Sequence, residues 1–252
     1  MPVRATLRFR CFGGFSFSDG DRWCVAPARA HGGGLLAYLA SHSRSAIFRE
    51  TLSEAFWPEL NAEQSAHRLH LAVSGARAAV RRAVPNINPI VFTNDAYAWN
   101  PSLEIKSDTD DLDRCFNNGS LPALREGVEI YAGQFLAGDH SDWILPLRVR
   151  YEQIYVTMLE CLARAALQAG DYGRATNFAL RLVEVDRANE RATQLAMLSA
   201  VKAGHRATAL VYFDTLECYL RKWLGVEPTG ATRLLQAQIL HGEVPREIDN
   251  KP

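Results

Sequence analysis

The sequence predicts a mainly α chain in two parts: a small α+β module, then an all-α array of helices. Three observations carry that expectation. Stretches that alternate apolar and polar residues occur in the first hundred positions. From Leu121 onward, apolar residues recur at helical spacing. Leu167-Gln-Ala-Gly170-Asp171 returns as Val201-Lys-Ala-Gly204-His205, with the two glycines 34 residues apart. A length of 252 residues also exceeds the usual single domain, so a division is expected on size alone.

Charge follows the same division. The whole chain carries 28 basic and 28 acidic side chains, which argues against a generic polyanion binder. Residues 1–100 hold 11 basic and 7 acidic groups, however, whereas 101–252 hold 17 and 21. A mildly basic module joined to an acidic helical one is the reading. The five cysteines are scattered, with no CxxC or Cys/His ligand spacing, so reduced thiols and no metal are expected. No apolar run approaches a membrane span and no signal-peptide core opens the chain, which points to a cytoplasmic protein without membrane contact.

In chain order, Ala5–Phe12 alternates as a half-buried strand should, Phe15–Ser18 does so again, and Asp19-Gly20-Asp21 is a hairpin turn into Trp23-Cys24-Val25. After Pro27, Leu35, Leu36 and Leu39 share one face of a helix over 30–41. Its Gly32-Gly33-Gly34 lacks both a following GK[ST] and GxGxxG order, so it reads as a weak helix start and not a phosphate loop. Arg49–Trp57 is a short helix closed by Pro58. Asn61 then caps a longer helix that runs to about Val84, ahead of Pro85.

At 100° per residue, Ala66, Leu69, Ala72, Val73, Ala76, Val80 and Ala83 form the core stripe of that long helix. The opposite arc holds His67, His70, Leu71, Ser74, Arg77, Ala78 and Arg81. Donors beside small residues suit a helix that enters a major groove, although a single such face is also what plain solvation produces. The flanking order favours the groove. A short helix, a turn and a long helix are followed by Ile90-Val-Phe92, a polar tip Thr93-Asn94-Asp95, and Tyr97-Ala-Trp99, which is the layout of a winged helix-turn-helix.

Asp108, Asp110, Asp111 and Asp113 fail Ca²⁺-loop spacing and read as a linker leading into a helix start. Helices are then expected near 120–131, 142–169, 171–185, 188–203, 205–224 and 229–241. The 34-residue period also pairs Ala175 with Ala209 and Phe178 with Tyr212. A small residue where helices touch and an aromatic three later is tetratricopeptide spacing, although an ordinary antiparallel bundle would also accommodate it. The repeat predicts a concave docking surface. No Ser/His/Asp set, paired-carboxylate signature or HExxH occurs, so no catalytic residue and no cofactor are assigned. His140, His205 and His241 read as helix-end residues.

Taken together, these features resemble known families. The N-terminal strands, three helices and hairpin resemble the OmpR-type winged helix. Residues 109–240 resemble the bacterial transcriptional activator domain of SARP-type regulators. That likeness rests on Asp113-x-x-Phe116, Tyr131-x-Gly133-x-Phe135-Leu136, Asp142-Trp143, Arg148 or Arg150, Gly170-Asp171, Asp186, Tyr212, Leu224-Gly225-Val226-Glu227-Pro228 and Thr232-x-x-Leu235. Upstream, Leu52-x-x-Ala55-Phe56-Trp57-Pro58 and Leu69-His70-Leu71-Ala72-Val73-Ser74-x-x-Arg77 resemble the family's DNA-binding half. The chain departs from the family at Gly75 and Ala78, where basic residues are usual. Fewer phosphate contacts and weaker binding per protomer follow.

The resemblance implies an activator that binds double-stranded promoter DNA and recruits RNA polymerase, with 1–105 as the DNA-binding domain and 106–252 as the activator domain. Arg77 and Arg81, flanked by Arg68 and Arg82, would take phosphates or guanine edges. His70 and Ser74 would sit nearest the bases, and Asn94 at the wing tip. A homodimer, or a protein or ligand effector at the helical repeat, is the further partner expected. The rival reading is a protein-binding adaptor whose winged helix no longer binds DNA.

Overall fold

The computed structural model describes residues 5–18, 22–25, 32–43, 45–81 and 83–243. The expected turn at 19–21 and Arg82 lie outside them. The chain divides into two compact units, 1–153 and 154–252.

In the first unit, β1 (Ala5–Arg10), β2 (Ser16–Ser18) and β3 (Trp23–Val25) form an antiparallel meander. Leu7, Phe9 and Phe17 point inward and are buried. α1 (Gly33–Ser41) follows, burying Leu35, Leu36 and Leu39 as the pattern requires. β4 (Ile47–Phe48), α2 (Arg49–Phe56) and α3 (Ala62–Arg81) come next. The Asn61 side chain accepts the Gln64 N–H at 2.9 Å, so the expected cap forms. Leu69, Ala72, Val73, Ala76 and Val80 are buried, joined by Ser65; Ala66 is only half-buried. β5 (Ile90–Thr93) and β6 (Ala96–Trp99) make the hairpin, and the short β4 pairs with β6 to give the order β4-β6-β5.

Two features of this unit escaped the sequence reading. β7 (Leu103–Ser107) pairs in parallel with β1 from Ala5↔Leu103 to Phe9↔Ser107. The acidic run is a full helix, α4 (Asp108–Asn118), capped by the Ser107 hydroxyl, and not merely a helix start. α5 (Leu121–Ile130) follows. The unit reaches 153 because the end of β1 is bound to what comes after α4. The Asp108 carboxylate accepts the N–H groups of Cys11 and Phe12 at 2.8–3.0 Å. Phe12 packs on Tyr131, Phe135 and Tyr151. Arg148 donates to the carbonyls of Phe135, Leu136 and Asp139 at 2.6–2.9 Å, bracing a loop in which Leu136 holds a left-handed φ of 47°.

α6 (Leu145–Gln168) runs across the division between the units. The second unit then continues with α7 (Tyr172–Val185), α8 (Glu190–Lys202), α9 (Arg206–Tyr219), a π-helical turn at Leu220–Leu224, and α10 (Gly230–Leu240). The 34-residue repeat is realised as two helix-turn-helix units. At each turn the glycine is left-handed, Gly170 at φ 76° and Gly204 at φ 84°. Asp171 N–H returns to the Ala166 carbonyl and His205 N–H to that of Ala200, the same closure at both sites. Ala175 and Ala209 are buried where helices meet. Tyr212 packs against two clusters at once, one around Ala179 and Ala196 and one around Met197 and Phe213. That is the inter-unit aromatic which the period implied. His205 stands at the start of α9 with no side-chain cap bond, and His241 at the end of α10.

Candidate nucleic-acid interface

α3 presents its outer side to solvent because its inner stripe is taken by the core of the first unit. His67, Leu71, Ser74 and Ala78 form one exposed ridge directly opposite that core. His70 and Arg81, also exposed, flank the ridge on the side of the hairpin, and Arg68 flanks it on the other. The hairpin tip is a two-residue turn, with Asn94 at φ 52° and Asp95 at φ 60°. Asn and Asp tolerate that region better than other L residues, and two positive φ values match the twist of a hairpin. Asn94 is exposed at the tip, as expected.

Arg77 is partly engaged within the fold. Its Nε and Nη2 donate to the Ile90 carbonyl at 3.0 and 2.8 Å, so two of its donors fasten the hairpin to α3. The remaining donors of the fork are what Arg77 can offer a phosphate. The hairpin is tied at two further points. Trp99 Nε1 donates to the Leu39 carbonyl at 2.9 Å, and Arg49 N–H donates to the Asp95 carbonyl at 2.9 Å. The Arg49 guanidinium lies 3.5 Å from the Asp95 carboxylate, offsetting the negative charge at the wing tip.

The glycines carry a correction. A Cβ on Gly32 would lie 2.5 Å from the Ala76 nitrogen and 2.7 Å from the Gly75 carbonyl carbon. The start of α1 therefore meets the backbone of α3, and only glycine fits there. What looks in the sequence like a weak helix start is a close backbone contact that positions the long helix. The contact pairs residues more than forty apart, so local pattern gave no hint of it.

Among the described residues, no group of three or more His, Cys, Asp or Glu is placed to hold a metal ion. Nor, among those residues, is any helix long and apolar enough to cross a membrane. Of the sequence-chosen residues, Arg68, His70, Ser74, Arg77 and Arg81 are thus on or beside one helix face and Asn94 is on the adjacent wing.

A family model for the bacterial transcriptional activator domain matches residues 114–240. The regulatory protein AfsR of Streptomyces coelicolor is 28% identical over 120 residues, which is 48% of this chain and 12% of that protein. The chain thus aligns with only about an eighth of this curated relative's length. Among solved structures, Mycobacterium tuberculosis EmbR in complex with a low affinity phosphopeptide matches 96% of this chain and 66% of its own, at TM-score 0.69 and 17% identity. That likeness establishes the fold: a winged helix followed by helical repeats. Because the family match takes in half of the chain, the chain belongs to the bacterial transcriptional activator domain family.

Proposed function

We propose that this protein is a sequence-specific DNA-binding regulator that activates transcription by recruiting RNA polymerase. Residues 1–105 engage promoter DNA and 106–252 form the activator part. The observation that carries the reading is the slim α3 ridge, opposite the core and beside a fastened wing, with Arg68, Arg81 and His70 at its edges. Small groups on the ridge let a helix approach base edges, while cations at the rims meet phosphates. Ser74 and His70 supply hydrogen-bonding groups for bases, and Asn94 reaches backbone or minor groove from the wing. EmbR's complex with a phosphopeptide favours a protein segment as an additional partner of this chain too.

Nuclease protection of the DNA upstream of its own gene, followed by run-off transcription with purified RNA polymerase, tests both halves of the proposal. A protected stretch and increased transcript from the same template are expected. Protection with unchanged transcript would remove the activator assignment and keep DNA binding. Absence of protection, with a stable protein complex formed instead, would favour the adaptor reading.

A further inference from the structure

This inference rests on the DNA-binding reading and specifies what the helix reads. The centre of the α3 ridge is not polar. Leu71, 48% exposed, stands between His67 and Ser74, and the exposed Ala78 lies one turn beyond Ser74. The cations lie on the flanks, and Arg77 is engaged by the Ile90 carbonyl. The groups that point away from the core, toward a groove floor, are therefore the His67 imidazole at one end of the ridge and, beyond it, two alkyl groups with a hydroxyl between them.

An exposed leucine alone would be ordinary. Here it stands on the ridge opposite the core, the side that would face base edges in this reading. In the major groove only thymine offers a methyl group; the other bases present nitrogen and oxygen groups at the same depth. A leucine packed over those groups would strip them of water and return no hydrogen bond. Leu71 thus attracts thymine and penalises the alternatives. Seven residues at 1.5 Å rise separate Leu71 from Ala78 by about 10 Å. At about 3.4 Å per base pair, that distance spans roughly three steps.

We propose that α3 selects duplexes carrying thymine C5-methyl groups about three base pairs apart, read by Leu71 and Ala78. The full chain is first used to select its preferred duplex from a random library. Each thymine of that duplex is then replaced singly by uracil, which removes one methyl and leaves every pairing edge intact. Affinity is expected to fall roughly three- to tenfold at one or two thymines and to stay unchanged elsewhere. In Leu71→Ala, whose exposed site leaves the fold intact by circular dichroism, the sensitivity at one of those thymines disappears. Uracil tolerated at every position overturns the proposal, as does sensitivity that survives unchanged in Leu71→Ala. Failure to select any duplex over random sequence would instead overturn the DNA-binding reading itself.

Discussion

Arg77 and Asp108 show how single side chains decide what the first unit can do. Arg77 braces the wing, so its loss removes a charged hydrogen-bonded pair and leaves the Ile90 carbonyl short of a partner. Arg77→Ala is expected to lower unfolding free energy by about 1–3 kcal/mol. Arg81→Ala, at an exposed position, should change stability by less than about 0.5 kcal/mol and reduce the salt slope of DNA binding by about one. Denaturant melts and salt titrations on the two variants separate brace from phosphate contact. Equal stability loss in both would contradict the assignment. Asp108 carries the pH dependence. Burial pushes its carboxyl from 3.8 up to about 6, against the pull of the Phe12 and Cys11 N–H groups. A folded value above the unfolded one means that the native state binds the proton more tightly between those limits. The group's contribution is therefore fully present below about pH 4 and is lost as pH rises through about 6. Compared with Asp108→Asn, the wild type should gain about 2–3 kcal/mol on going from pH 7 to pH 4. A pH-independent difference between the two melts would refute this.

Elements differ in how well the sequence announces them. The cap at Asn61, the stripe from Leu69 to Val80 and the glycine turns at 170 and 204 are local chemistry, and local pattern finds them. β7 alternates over Leu103–Ser107, yet it is five residues long and its partner β1 lies at the other end of the unit. A parallel pair of that kind gains nothing from neighbouring sequence, so only the folded chain reveals it. The candidate interface divides the same way. Its exposed ridge follows from periodicity, but the Arg77 brace and the Gly32 contact with α3 depend on elements meeting in space. Gly32 and Gly75 make that contact testable. Gly32→Ala drives a methyl to 2.5 Å from backbone and should destabilise the unit by about 1–3 kcal/mol. At Gly75 the nearest atoms to an added Cβ are those of Gly32 at 3.7 Å, an ordinary contact. Gly75→Ala should therefore be neutral or stabilising by up to about 1 kcal/mol. Thermal melts showing the reverse order would rule out the close approach.

Across the whole molecule, charge and architecture do not share a boundary: the net-basic stretch is the first hundred residues, whereas the first unit runs to 153. The first hundred residues are net basic and the rest net acidic, so the proposed attraction to a duplex falls on the stretch that carries α3 and the wing. In the second unit, α10 is held to α8 by a compact polar knot. The Glu190 carboxylate accepts the Thr229 N–H at 2.9 Å and the hydroxyls of Thr229 and Thr232, while Gln194 donates to Thr232 at 2.7 Å. Burial alone would raise the Glu190 carboxyl, but the threonine bonds hold it below its ordinary value. That closure completes the helical unit. Fluorescence anisotropy is the direct test of the central claim, using DNA from upstream of the protein's own gene against a scrambled duplex at several salt concentrations. A steep negative salt slope with a preference of about 10³ or more for the native sequence is the predicted result. A slope near zero with no preference would contradict it.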